Sequence, residues 1–395
     1  MAVYLRSIGT ALPGAALPQE RARDLFAAQP GLTRLGRRLV TASFDASAID
    51  TRYTVVDELT EGPTAPGSPD GDDPGPASEP DPARAPVFVG ADGVFLAPST
   101  RIRNERYIER APQLALDAAR EALAAVPGVA AADVTHVVTV SCTGFFAPGP
   151  DYVLVRELGL RPTTQRLHVG FMGCYGVFPA LRAAKAFCEA DPDAVVLVVS
   201  VELCTLHMRS SNESDQIVAS SVFGDGAAAA VVTSRAPGDG QPALRLDEFT
   251  TTLTPTGEEA MAWTIGDEGF EMVLSSYVPK IIDEHIAGAL APLATDAGAA
   301  PGAIAEHWAV HPGGRSVLDR VQGALGLGDS QLEPSRETLR TVGNLSSATV
   351  LFVLRRLLEG GVAATGERVC AMAFGPGLTV EAGLFTVTGR AEGVR

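Results

Sequence analysis

The sequence predicts an α/β protein in which sheets are covered by helices, and three features carry that expectation. First, the runs THVVTVSC (135–142), DAVVLVVSVEL and GAAAAVVTS (226–234) have the near-continuous apolar character of strands buried on both faces. Second, a helical stretch at 179–189 lies between the first two runs, the strand–helix–strand order of a covered sheet. Third, the second half repeats the style. HWAVHPGG reads as a short strand ending in a turn, and RVCAMAFGPG as a strand running into a Gly-Pro turn.

In chain order, residues 4–12 read as a strand and turn, and 18–57 as mixed structure with an early helix. Residues 61–86 carry eight prolines among acidic and small residues. Such a segment has few backbone donors and nothing to bury, so it is expected to be a disordered surface insertion rather than a domain boundary. Residues 108–126 suit a helix, as do SVLDRVQGAL and the long SSATVLFVLRRLLEG. No exact internal repeat is visible. Two loosely similar halves are expected, 1–238 with the candidate nucleophile and 239–395 with its candidate partners.

The 395 residues are enough for a large core. A net charge of -16 disfavours non-specific nucleic-acid binding. No apolar run is long enough for a membrane span, and the N-terminus lacks the pattern of a secretory signal, so a cytoplasmic protein is expected. The five cysteines form no CxxC pair and have no histidines at finger-like spacing. Neither a metal site nor a disulfide framework is expected.

Cys174 sits in FMGCYGVF between two glycines, just before the helical run. At a helix N-terminus, unpaired amides and the dipole favour the thiolate, which would make Cys174 a nucleophile suited to thioesters. The alternative is a packed thiol. His311 opens HPGG at a strand end, where it is either a base and donor or a satisfied loop residue. Asn344 opens NLSSATVLFVL. It is either a helix cap or, if Ser346 or Ser347 caps instead, a free amide donor for an oxyanion. GDG at 224–226 and AFGPG at 373–377 are tight turns without dinucleotide or phosphate-loop spacing.

Taken together, GCYG, FGDGAAA, HPGG, NLSSATVLFVL and FGPG resemble the type III polyketide synthases, the chalcone-synthase-like enzymes. The resemblance runs from about residue 4 to 386 outside 61–86, with 137 residues from Cys174 to His311 and 33 from there to Asn344. It implies a thiolase-type αβαβα fold of two related halves and a homodimer. It also implies a triad: Cys174 loaded by a starter acyl group, His311 holding the thiolate and thioester oxygen, and Asn344 sharing that oxygen. No permanent cofactor is implied. The substrates would be coenzyme A thioesters, malonyl-CoA and a starter acyl-CoA, with delivery on an acyl carrier protein as the alternative.

The same resemblance places Phe223 at the junction of tunnel and cavity, and Met272 at a second gating position. Cys142, Thr143, Phe145, His207, Phe374 and Gly375 fall around the cavity. Cys142 either takes part in chemistry or simply packs, and His207 would narrow a pocket or bind a polyketide carbonyl. Phe145 and Phe146 would shape a floor or a fatty-acyl channel. The basic coenzyme A contacts of plant members fall on Leu39, Ala42 and Ala46, so Arg37, Arg38, Gly313, Gly314 and Arg315 become the candidates. CTGFFAPGPD with VGFMGCY is most similar to a bacterial branch making alkylpyrones or alkylresorcinols from fatty acyl starters. The alternatives are a malonyl-primed, tetrahydroxynaphthalene-like synthase, a single-extension ketoacyl synthase III-like enzyme, and a catalytically silent thiolase-fold scaffold.

Overall fold

The computed structural model describes residues 1–60, 86–294 and 300–389, so the 61–86 insertion lies outside the described residues except for Pro86. In chain order the strands and helices are β1 (Tyr4–Ala11), β2 (Ala15–Pro18), α1 (Gln19–Ala27), α2 (Arg34–Asp45), β3 (Thr51–Thr54), α3 (Thr100–Ala124) and β4 (His136–Ser141). Then come α4 (Pro150–Glu157), β5 (Gln165–Gly170), α5 (Val177–Ala190), β6 (Val195–Leu203), α6 (Ser214–Val222) and β7 (Asp225–Thr233). The second half adds β8 (Ala243–Leu253), β9 (Met261–Gly266), β10 (Gly269–Leu274), α7 (Val278–Leu290), β11 (His307–Val310), α8 (Arg315–Leu325), α9 (Asp329–Val342), α10 (Thr349–Glu359), β12 (Arg368–Gly375) and β13 (Thr379–Thr388).

Nine of the strands follow one another in the order β11-β12-β13-β8-β1-β7-β6-β4-β5. The seam between the two halves is short: β1 meets β8 only through Tyr4–Arg245 and Leu5–Leu244. Each half is therefore a sheet in its own right, and the alternation of side chains shows how the two stack. Val138, Val196, Ala228 and Ala230 share a core with Leu181 of α5 and with Leu351 and Leu354 of α10. Their neighbours Val137, Leu197 and Ala229 face the opposite way, onto Ala115 and Ala119 of α3. In β12, Ala371 and Ala373 point to the α5–α10 core, whereas Cys370 and Met372 point to Ile282 of α7, Leu318 of α8 and Leu332 of α9.

The result is helix, sheet, helix, sheet, helix. The period of 2 in each strand delivers alternate residues to two different cores. It also explains why β6 and β7 are buried along their whole length. α10 needs an apolar surface on nearly every side because it is sandwiched between sheets, and TVLFVL supplies it. Among the described residues no helix is long and apolar enough to cross a membrane.

One close approach fixes the outer helix layer to the sheet end that carries the site. A Cβ at Gly144 would lie 2.1 Å from Cγ of Tyr107, whose buried hydroxyl donates to Ser141 Oγ at 2.7 Å. Gly144→Ala should lower unfolding free energy by about 2–3 kcal/mol, because neither ring nor backbone has room to yield. Chemical denaturation measures this, and an unchanged midpoint would refute it.

Candidate active site

Cys174 lies in a 3₁₀ turn, Gly173–Tyr175, on the route from β5 to α5. Gly173 has φ of +72°, and a Cβ there would sit 2.6 Å from Cδ of Pro376. Only glycine lets this turn run so close to the 373–377 loop. His311 follows β11, and its N–H donates to the Met372 carbonyl at 2.8 Å. Asn344 is held against the chain at Phe223: its N–H donates to Val222 O at 2.9 Å, and its carbonyl accepts from Gly224 N at 2.9 Å. Cys174 thus comes from the first half, and His311 and Asn344 from the second. All three line one cavity, together with Cys142, Phe223, Ser346 and Phe374. The β9–β10 hairpin covers it with Met261, Trp263, Met272 and Leu274.

The cavity wall is mostly apolar and its titratable groups are buried, and the electrostatics follow from that. Burial pushes the Cys174 thiol up to about 12, against the pull of contacts from Ser346 and Asn344. The expectation that a helix N-terminus makes this a resting thiolate is therefore corrected. α5 begins only at Val177, and desolvation outweighs the dipole. Burial alone depresses His311 to about 3, so its imidazole is neutral. Neither ring nitrogen of His311 has a hydrogen-bond partner among the described residues, although both are buried. An unpartnered buried nitrogen is costly unless a ligand completes it.

Asn344 settles the capping question in an unforeseen way. Its Oδ1 accepts from Ser346 N at 2.8 Å and so caps the 3₁₀ turn Ser346–Ala348. Its Nδ2 has a long 3.4 Å contact to Gly313 O and also reaches the Cys174 side chain. The side chain both caps and presents a donor, because its two ends do different work.

The other candidate residues divide sharply. Phe223, Cys142, Met272 and Phe374 line the cavity. Thr143 does not: its hydroxyl is turned beneath the wall, donating to Glu202 Oε2 at 2.8 Å and accepting from Leu203 N at 2.9 Å. Gly375 does not line it either; it packs on the Tyr175 ring, where a Cβ would lie 2.4 Å from Cδ1. Phe145 is 38% exposed and clusters with Phe171 and Phe270 outside the cavity. Phe146 packs against Tyr107 in the outer core.

His207 is not available for a carbonyl of a bound chain. Its Nε2 contacts Thr143 O at 2.8 Å, its Nδ1 accepts from Phe270 N at 3.0 Å, and its ring stacks on Phe270 at 4.2 Å. Those partners fix an Nε2–H tautomer, and burial holds the ring neutral, near 3.

Beyond Leu274, Val278, Gly313 and Val317, which they share, the cavity meets an outer basin. Gly313, Gly314, Arg315 and Arg320 line this basin, as does Ala46. Arg37 and Arg38 do not. They lie on α2, and Arg37 Nε donates to Ala27 O at 2.9 Å.

Two sets of features escaped the sequence reading. Trp263 donates to Cys142 O at 2.7 Å, and the hairpin that carries it has no distinctive pattern. Glu202 is wholly buried beside the site. A carboxylate inside the otherwise apolar run VVLVVSVEL was its available signal, since charged groups are rarely buried without a network.

The sequence profile of the chalcone and stilbene synthase N-terminal domain matches residues 93–236, and that of the C-terminal domain matches residues 245–388. The chain belongs to the chalcone and stilbene synthase family. Within that family, the chain is 36% identical over 315 residues to bisdemethoxycurcumin synthase of Oryza sativa subsp. japonica, covering 77% of each. The crystal structure of PKS-I from the brown alga Ectocarpus siliculosus superposes with a TM-score of 0.84 at 28% identity, covering 98% of both chains. The C-terminal type III polyketide synthase domain of Steely1 from Dictyostelium superposes with a TM-score of 0.81 at 25% identity, covering 98% of this chain and 99% of that one. The layers described above are thus the thiolase-type architecture of the chalcone and stilbene synthases. Membership in that family also carries the general condensation chemistry of type III polyketide synthases.

Proposed function

We propose that this chain is an iterative type III polyketide synthase that primes Cys174 with a fatty acyl group, extends it with malonyl units and cyclises the product to an alkylpyrone or alkylresorcinol. The observation that carries the catalytic part is one mostly apolar cavity whose wall includes Cys174, His311 with its two unpartnered nitrogens, and Asn344 with its Nδ2 donor. Cys174 sulfur attacks the starter thioester, and coenzyme A leaves. The malonyl carboxylate then departs as carbon dioxide, and His311 and Asn344 donate to the enolate oxygen. The enolate carbon attacks the Cys174 thioester, and the extended chain reloads. A neutral His311 suits this role because it can donate from one nitrogen without bringing a buried charge.

The outer basin suits coenzyme A. Arg315 and Arg320 supply cationic groups, and Gly313 and Gly314 allow close backbone approach. The starter assignment is supported by the mostly aliphatic and sulfur-bearing wall of Met261, Met272, Leu274, Val278 and Ile282. A homodimer is proposed through the edge strand β5, where Leu167 is 40% exposed.

The test is mass spectrometry of products from malonyl-CoA with a panel of starters. Turnover with C8–C18 acyl-CoA, at two or more extensions, is the expected result. No turnover with those starters removes the fatty-acyl assignment. An aryl starter belongs in the panel because the rice relative is named for bisdemethoxycurcumin. A product of one extension only would point to a ketoacyl synthase III-like enzyme, and no product with any starter, malonyl-CoA alone included, to a silent scaffold.

A further inference from the structure

β3 alternates between partly exposed and buried residues, and Arg52 takes one of its buried positions. An arginine is unusual there, because a cation is rarely buried without a carboxylate bonded to it. Arg52 is wholly buried, and its hydrogen-bond partners are two main-chain carbonyls. Its Nη1 donates to Ser220 O at 2.7 Å and to Phe223 O at 2.7 Å. Nε and Nη2 are buried and have no partner among the described residues. Its Cζ lies 5.4 Å from the centre of the Phe44 ring. The charge of Asp225 offsets part of the cost of burial, but that carboxylate is bonded to Thr205 and Val55.

The two carbonyls that Arg52 holds lie at the end of α6. A helix leaves its last four carbonyls without intrahelical donors, and the negative end of its dipole gathers there. At α6 each of them finds a donor. Ala219 O accepts from Phe223 N at 3.3 Å, Ser220 O from Arg52, Ser221 O from Gln19 Nε2 at 2.7 Å and Val222 O from Asn344 N at 2.9 Å. Phe223 O, one residue further on, again accepts from Arg52. Arg52 is the one cation among these donors, and a single nitrogen of it fixes two carbonyls three residues apart. Such a charge-assisted bond is stronger than one from a neutral amide. The arm of Arg52 passes Gly343 closely: a Cβ there would lie 2.8 Å from Arg52 Cγ.

The end of α6 is a partition. Ser221 and Val222 line the outer basin, and Phe223 lines the cavity. Ser220 and Phe223 line a small side pocket with Cys204 and Phe270. Arg52 lines none of the three and lies behind the wall. We propose that Arg52 is a positioning residue that clamps the end of α6 and thereby fixes the partition between basin and cavity, setting the bulk of the acyl thioester that reaches Cys174. The clamp rests on the basin being the way in to Cys174, as the proposed function has it, and adds the residue that limits what passes.

The clamp needs both the charge and the shape of a guanidinium. Burial lowers Arg52 to about 9, so it remains a cation at neutral pH. Methionine would fill the space but leave Ser220 O and Phe223 O without donors in the interior. The chain relieves such a cost by letting the helix end unwind toward the open basin. Lysine keeps the charge, but its one nitrogen ends short of the position of Nη1, so it reaches one carbonyl and not both.

Alkylation of Cys174 with a small and a bulky reagent, iodoacetamide and pyrenylmaleimide, tests this without polyketide turnover. Peptide mass spectrometry reads the rate of each, and the ratio of bulky to small reports the width of the way in. Cys188, wholly buried in the central core, reports general loosening of the fold. Arg52→Met should raise the ratio about tenfold while Cys188 stays unlabelled. Arg52→Lys should raise it about threefold, and it carries the test alone if the methionine variant does not fold. A ratio that stays at the wild-type value in either folded variant overturns the clamp. So does labelling of Cys188 that rises in step with that of Cys174, which would make Arg52 a support of the fold and nothing more. Product formation measured in parallel reports separately on the proposed function. The expected change of ratio in a protein that makes no malonyl-dependent product upholds the clamp and sinks the synthase reading, and product formation with an unchanged ratio does the reverse.

Discussion

Cys174→Ala should abolish malonyl-dependent carbon–carbon bond formation, with a loss in kcat on the order of 10⁴-fold or more. Sulfur is the atom that bonds to the acyl group, and no neighbour is placed to substitute for it. Cys142 lines the same cavity, but it is tied to Glu202 and Ser346, and burial pushes its ionisation well above the ordinary thiol range. The methyl side chain of alanine leaves the fold intact, since Cys174 packs only as a small buried group. Single-turnover assays with radiolabelled starter should show no acyl-enzyme. A retained acyl-enzyme on Cys142 or elsewhere would refute the assignment.

Asn344→Ala should cost about 10²–10³-fold in kcat, the usual consequence of removing one oxyanion donor. Decarboxylation of malonyl-CoA, followed by release of carbon dioxide, should fall in proportion, whereas acylation of Cys174 should fall less. Asn344→Asp is the sharper variant. It keeps the Oδ1 that caps Ser346 N but replaces the donor with a second acceptor. Equal loss in both variants places the effect on the donor. Recovery in the aspartate variant would place it on the cap instead.

The strand and helix runs were legible in sequence because each delivers to a core at its own period. β4, β6, β7, β12 and α5 fall close to the stretches that THVVTVSC, DAVVLVVSVEL, GAAAAVVTS, RVCAMAFGPG and residues 179–189 mark out. β8 and the β9–β10 hairpin gave no such signal, because β8 alternates buried and exposed residues loosely and the hairpin has few fully buried positions. At the site, Cys174, His311 and Asn344 were grouped only through the resemblance of their motifs to a known family, since each residue alone fitted a packing, loop or capping role equally well. What the residue types could not convey was burial. Helix position argues for a low thiol ionisation and burial for a high one, and only the assembled cavity shows which is larger. His207 illustrates the same limit. An imidazole near a cavity looks free until the Thr143 carbonyl and the Phe270 amide are seen to occupy both nitrogens.

The backbone ladder between Val222–Gly224 and Asn344 has one more implication. The ring of Phe223 hangs from the same two rungs that hold the carboxamide donor. Any shift of the main chain at Phe223 therefore carries Asn344 with it, so this part of the cavity wall and the carboxamide move as one unit.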